Sequence, residues 1–241
     1  MNLWYNISMK NAITTSKIIF ILKEVMNMER ILYKELLKWK ESKDRKPLIL
    51  KGVRQCGKTW LLKEFGKNQY EDVAYFNFEG NEALQNRFLQ DLDVKRIIEE
   101  LSILNNKAIK PHKTLIIFDE IQFCNNALTS LKYFCENAPD YHIACAGSLL
   151  GILLSKPLSF PVGKVDFLEL RTMNFKEFLL ANDEKMLVEY LDKKIDKVPE
   201  TFENRLKNYL KNYYIVGGMP EVVQKWVETK DIQQVEKIQD A

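Results

Sequence analysis

The chain has 241 residues, 46% hydrophobic and 29% charged, which is enough apolar material for one large core or two small ones and excludes a disordered or fibrous polymer. Its 36 Lys and Arg stand against 33 Asp and Glu, so no general electrostatic case exists for nucleic acid, and any DNA contact has to be local. Cys56, Cys124, Cys135 and Cys145 show neither CxxC spacing nor the density of a disulfide scaffold, so a reducing cytoplasm is the expected location.

In chain order, the first apolar stretch, "SKIIFILKEV" from Ser16, is broken by Lys23 and Glu24 and falls short of the roughly 20 residues a membrane span needs, so no membrane association is expected. The segment "MNMERILYKELLKWKES" then reads as an amphipathic helix. Met26 and Met28 are alternative starts; residues 1–27 are then an extension with little structural duty, the other reading being an extra helix packed on the core. Apolar, β-branched strands are expected at 47–52, 73–79, 114–120, 142–148 and 165–170, with helices at 58–65, about 92–104 and 126–137 between them. This alternation predicts an α/β fold with a mostly parallel sheet. After Arg171 the strands stop and helices are expected at 174–182, 184–194, 200–214 and 220–228, so a boundary falls near residue 172. The expected organisation is an extension over 1–27, a core over 28–171 and a helical region over 172–241.

Between the first strand and the next helix lies "KGVRQCGKTW", which matches G-x-x-x-x-G-K-[ST]. A strand, a glycine-bearing turn and a helix start are the setting in which backbone N–H groups and a helix N-terminus converge on phosphate. Gly52 and Gly57 permit the turn and the close approach, Lys58 reaches the β- and γ-phosphates, and the Thr59 hydroxyl ligates Mg²⁺. The expected nucleotide contacts run through Gly52, Val53, Arg54, Gln55, Cys56, Gly57, Lys58, Thr59 and Trp60. Arg54 is open between a phosphate contact and a surface partner for Glu79 or Glu120.

The metal needs an acid, and "LIIFDE" supplies Asp119 at the carboxyl edge of a buried strand, where ligands collect in open α/β sheets. Asp119 is the expected Mg²⁺ partner beside Thr59. The adjacent Glu120 points differently and can polarise an attacking water, which favours ATP hydrolysis over transfer to a small acceptor. No NKxD follows for guanine; "NKAI" at 106–109 fails at its fourth position.

With "LYKELLKWKESKDRKPLILKGVRQCGKTWLLKEF", "LIIFDEIQ", "CAGSLLG", "FPVGKV" and "YYIVGGMPEVV" in order from about Met28, the chain resembles the bacterial and archaeal AAA-type P-loop ATPases that carry a C-terminal domain of unknown function. The resemblance implies a P-loop NTPase core with an additional strand, sheet order 5-1-4-3-2 and a catalytic glutamate, followed by a small helical lid. It implies a sensor at Ser148, which by itself also reads as a helix cap. In "GGMP" it places Pro220 against the nucleotide base, where the generic reading is a helix stop and start. Tyr209, Tyr213 and Tyr214 read as helical core rather than as a base-stacking platform. Arg171 stands where that family tends to carry a proline, so no arginine-finger role is assigned to it.

Relatives of that family continue past the point where "VEKIQDA" closes this chain. A protein partner or DNA is therefore expected to act through a further C-terminal region, and an oligomer is compatible with the family. Two function classes stay open: an Mg²⁺-dependent ATPase using Lys58, Asp119, Glu120 and Ser148, and a nucleotide-gated binding module in which slow hydrolysis acts as a timer.

Overall fold

A computed structural model describes residues 29–147, 161, 163–193 and 199–240. The expected extension over 1–27 and the sensor Ser148 lie outside the described residues. The described residues divide into two compact units, one within Ile31–Thr172 and the other formed by Glu29 and Arg30 together with those from Met173 on.

The first unit runs α1 (Tyr33–Glu41), β1 (Leu48–Lys51), α2 (Lys58–Gln69), β2 (Asp72–Asn77), α3 (Glu82–Asn86), α4 (Val94–Leu104), β3 (Thr114–Asp119), α5 (Asn125–Asn137), β4 (His142–Gly147) and β5 (Asp166–Glu169). A single 3₁₀ turn, Ile121–Phe123, joins β3 to α5. The strands form one sheet in the order β2-β3-β4-β1-β5, with every pair parallel. Read from the other edge this is the expected 5-1-4-3-2, and it is wholly rather than mostly parallel.

Burial on both faces explains why β3 and β4 read as continuous apolar runs. Side chains alternate along each strand, so Leu48, Leu50, Leu115, Ile117, Ala144 and Ala146 pack on one face with α1 and α2, through Leu36, Trp39, Leu61, Leu62 and Phe65. Ile49, Ile116, Phe118, Ile143 and Cys145 pack on the other, with Ile97 and Leu101 of α4 and Leu131 and Phe134 of α5. Each fully buried Leu, Ile or Phe contributes about 1.5–3 kcal/mol, so this two-faced core holds the sheet edge rigid. Helix α4 shows the local logic: Asp93 caps it, accepting from Arg96 N–H at 2.8 Å, and Val94, Ile97, Ile98 and Leu101 recur at helical spacing on its buried side.

The second unit holds α6 (Phe175–Ala181), α7 (Lys185–Asp192), α8 (Glu200–Val216), α9 (Pro220–Thr229) and α10 (Ile232–Gln239). Its core gathers Met173, Phe178, Val216, Val222, Val223, Trp226 and Val235. Asn174 and Glu177 form a reciprocal capping box at the start of α6. Glu177 also accepts from Arg30 Nε at 3.1 Å, with both side chains buried. Tyr213 packs on Phe175 and Phe178 and donates to the Met173 carbonyl at 2.8 Å. Tyr209 is half-buried, but Tyr214 is 77% exposed and corrects the expectation that all three tyrosines serve the core, because its side chain lies in solvent rather than in the cluster that holds Tyr209 and Tyr213. Among the described residues no helix is long and apolar enough to cross a membrane.

Candidate nucleotide-binding site

The loop after β1 is fastened from beneath. Gly52 lies so close to the exit of β5 that a Cβ there would overlap the Leu170 carbonyl oxygen and sit 2.9 Å from Cys56 Sγ. Cys56 is buried and directs its thiol to the same Leu170 carbonyl at 3.4 Å, so only its backbone faces the loop interior. The exposed Val53, Arg54 and Gln55 form the outer arc, with Gln55 at φ +60°. Gly57 caps α2 at φ +90°, a left-handed conformation that glycine adopts without the cost a side chain would impose. Turns that alternate handedness can point successive N–H groups at one anion, and the helix that begins here has no acid in its first turn.

Lys58 is 6% exposed. Its ammonium donates to the Gly52 carbonyl at 2.9 Å and the Val53 carbonyl at 2.7 Å, which folds the side chain back over the loop. Thr59, the next residue of α2, donates its hydroxyl to Asp119 Oδ2 at 2.9 Å.

That contact follows from the sheet register. Tyr75 pairs with Ile117 and Asn77 with Asp119, so these four residues share the face on which α2 packs. Asp119 is 4% exposed, and each of its oxygens accepts a bond. Oδ2 takes the Thr59 hydroxyl and the Tyr75 hydroxyl, the latter at 2.7 Å, and Oδ1 takes the Glu120 N–H at 3.1 Å. Burial first, and then the bond to Asp119, push the Tyr75 phenol well above its ordinary pKa, so it stays a donor. Lys63 of α2 places its ammonium over the Tyr75 ring, 3.4 Å from the centroid.

Glu120 leaves the strand at φ +49°, a sharp turn that breaks the alternation and separates its carboxylate from that of Asp119. The Gln122 side-chain amide donates to Glu120 Oε2. A hydroxyl beside a carboxylate is a hard oxygen pair that suits Mg²⁺, which uses one or two carboxylates together with substrate phosphates. Among the described residues no group of three or more His, Cys, Asp or Glu side chains converges to form an all-protein cage for a metal.

The structure thus gathers Gly52 through Thr59, Asp119 and Glu120 along one edge of the sheet. Trp60 lies in the first turn of α2 and is 41% exposed. Arg54 forms no ion pair among the described residues, so neither pairing left open by the sequence, with Glu79 or with Glu120, is made. Arg171 pairs with Glu169 at 3.1 Å. Pro220 is the first residue of α9 in the helical unit, and the Gly218 carbonyl before it accepts from Met173 N–H at 2.6 Å. Tyr75 and Gln122 are additions that the motif reading misses, although strand alternation puts Tyr75 on the Asp119 face.

None of the curated protein sequences matches this chain. Among solved structures it is similar to a threonine-to-valine variant of Thermotoga maritima RuvB, with 18% identity and a TM-score of 0.51 over 86% of this chain and 63% of that one. It is also similar to AMPPCP-bound DnaA from Aquifex aeolicus, with 16% identity and a TM-score of 0.47 over 87% and 64%, and to Drosophila ORC bound to DNA, with 15% identity and a TM-score of 0.48 over 85% and 64%. The chain therefore spans less than two thirds of the length of each of these chains, and at 18% identity the likeness to RuvB speaks for the fold alone. The family model described as an AAA domain matches residues 44–179, more than half of the chain, from just before β1 into α6. This chain belongs to the AAA domain family.

Proposed function

We propose that this chain binds ATP with Mg²⁺ and hydrolyses its β–γ phosphoanhydride. The observation that carries the reading is the 2.9 Å bond from Thr59 to Asp119, which ties the phosphate loop to the acidic strand end at the point where a metal–phosphate pair needs both. Thr59 and Asp119 would hold Mg²⁺, which when bound neutralises charge on the phosphate oxygens. The loop N–H groups and the α2 N-terminus bind and orient the phosphates. Lys58 exchanges its two carbonyl partners for β- and γ-phosphate oxygens. Glu120 accepts the proton of a water aligned on the γ-phosphorus as the bond to the leaving ADP oxygen breaks.

A second reading, the nucleotide-gated switch with slow turnover, is favoured by the Gln122 amide on the Glu120 carboxylate. That bond occupies one of the two Glu120 carboxylate oxygens, so the carboxylate engages a water with both oxygens only when the bond is released.

The test is a titration of the purified chain with a fluorescent ATP analogue, with Mg²⁺ and with EDTA, followed by single-turnover phosphate release. Metal-enhanced binding with Glu120-dependent release is the expected result. Failure of ATP to bind at millimolar concentration with Mg²⁺ present overturns the proposal, and binding without any release leaves the switch as the reading.

A further inference from the structure

The geometry points to Tyr75, on the edge strand β2, as a positioning residue that sets metal affinity by holding the Asp119 carboxylate in one orientation. An ionised carboxylate offers about four lone-pair directions. In this structure three are engaged: two on Oδ2 by the Thr59 and Tyr75 hydroxyls, and one on Oδ1 by the Glu120 N–H. Among the described residues the direction left over is on Oδ1, so the carboxylate can present one oxygen to a metal or its water and keep the other for the protein.

The two hydroxyls are not equivalent. Thr59 has to offer its own oxygen to the metal while its proton goes to Asp119, so its hold on the carboxylate is shared. Among the described residues the Tyr75 hydroxyl has no other partner, and its bond, at 2.7 Å, is the shorter of the two. The Tyr75 ring packs against the core on the α2 side of the sheet and has the Lys63 ammonium 3.4 Å from its centroid, so the donor sits on a stiff support with few torsions to lose. A charge-assisted bond from a braced donor to a nearly buried carboxylate fixes ligand orientation, the role outer partners play around metal ligands generally.

The inference rests on the nucleotide reading of the site and concerns its Mg²⁺ specifically. Its test is Tyr75→Phe, which removes one oxygen and keeps the ring. Two quantities are read: the affinity for nucleotide in EDTA, and the Mn²⁺ concentration that half-saturates the nucleotide-loaded protein, followed by electron paramagnetic resonance of free Mn²⁺. The expected result is a rise of about 10- to 100-fold in the half-saturating metal concentration, with metal-free nucleotide affinity within about twofold of the wild type. In an Asp119→Asn background the same substitution is expected to change the metal titration by less than about twofold, because Tyr75 acts through Asp119. An unshifted Mn²⁺ titration in Tyr75→Phe, beside normal metal-dependent binding by the wild type, overturns this assignment and leaves the nucleotide site standing. An equal loss in EDTA and in metal also overturns it, since that marks general damage to the loop. A wild-type protein that binds nucleotide without any response to metal overturns both readings.

Discussion

The Lys58 ammonium and the Val53 carbonyl oxygen are 2.7 Å apart, with the Gly52 carbonyl at 2.9 Å on the same nitrogen. A nearly buried cation held, among the described residues, by two carbonyls of its own loop is poised for anionic oxygen, because neutral carbonyls neutralise none of its charge. Lys58→Ala removes a charge-assisted contact worth about 1.5–3 kcal/mol, so ATP affinity is expected to fall roughly 10- to 100-fold in titration calorimetry. The fold, held by cores on both sheet faces, is expected to remain. Equal affinity in the variant and the wild type would place the phosphates elsewhere.

Asp119 and Glu120 are neighbours with separate tasks, because Asp119 faces α2 with both oxygens engaged and Glu120 turns away at φ +49°. Glu120→Gln is expected to keep Mg²⁺-ATP binding while slowing phosphate release by about 10² to 10⁴, the range of a lost general base. Asp119→Asn is expected to raise the metal concentration required. Matching profiles for the two variants in both binding and turnover would end the division of labour.

The alternation of the buried strands made the sheet legible, since runs such as "LIIFD" have few other uses, and the strand that carries Asp119 runs as expected to its carboxyl edge. The length of α2 was underread: the helix continues past Phe65 to Gln69 because Gly66 packs inside it rather than ending it. Helix α10 is shorter than the segments that periodicity marks, with only Ile232, Val235 and Ile238 apolar in its eight residues. Tyr75 was hidden for a different reason. Its partner Asp119 is 44 positions away, and only strand register brings them together, whereas Lys58 and Thr59 sit in one contiguous motif. The Gln122 contact with Glu120 depends on the left-handed turn at Glu120, which no residue type announces.

Gly52 is a steric requirement rather than a matter of turn preference. Its backbone is close to extended at φ +159°, and the obstacle to a side chain is the Leu170 carbonyl and Cys56 Sγ. Gly52→Ala is expected to push the loop off β5, costing about 1–3 kcal/mol in the urea unfolding free energy and weakening nucleotide binding together with it. Cys56→Ser, which leaves the Cβ contacts and changes only the buried sulfur, serves as the comparison. Unchanged stability and unchanged binding in Gly52→Ala would show that the loop does not need this close approach.

The last prediction concerns pH and the opposite edge of the sheet. His142 opens β4, 4% exposed, with its Nδ1 2.8 Å from the Tyr70 hydroxyl and its Nε2 3.4 Å from His112 Nδ1, while His112 in turn meets Asp140 at 3.2 Å. Trp39 packs edge-on against its ring, and the cations Arg45 and Lys40 stand on the same side. Burial above all, then repulsion from Arg45, His112 and Lys40, lowers the His142 pKa to about 3. In the unfolded chain an imidazole titrates near 6.5. The folded-state value is therefore the lower one, and between pH 6.5 and 3 the unfolded chain takes up a proton that the folded chain refuses. The stability contributed by neutral His142 is fully present above about pH 6.5 and is lost progressively as pH falls below it. His142→Gln keeps an acceptor for Tyr70 and cannot titrate, so its urea midpoint is expected to fall less than that of the wild type between pH 7.5 and 5. That window lies above the ordinary carboxylate range, so carboxylates in general do not dominate the slope. Parallel curves for the two proteins across it would mean that His142 carries its proton in the folded state as readily as in the unfolded one.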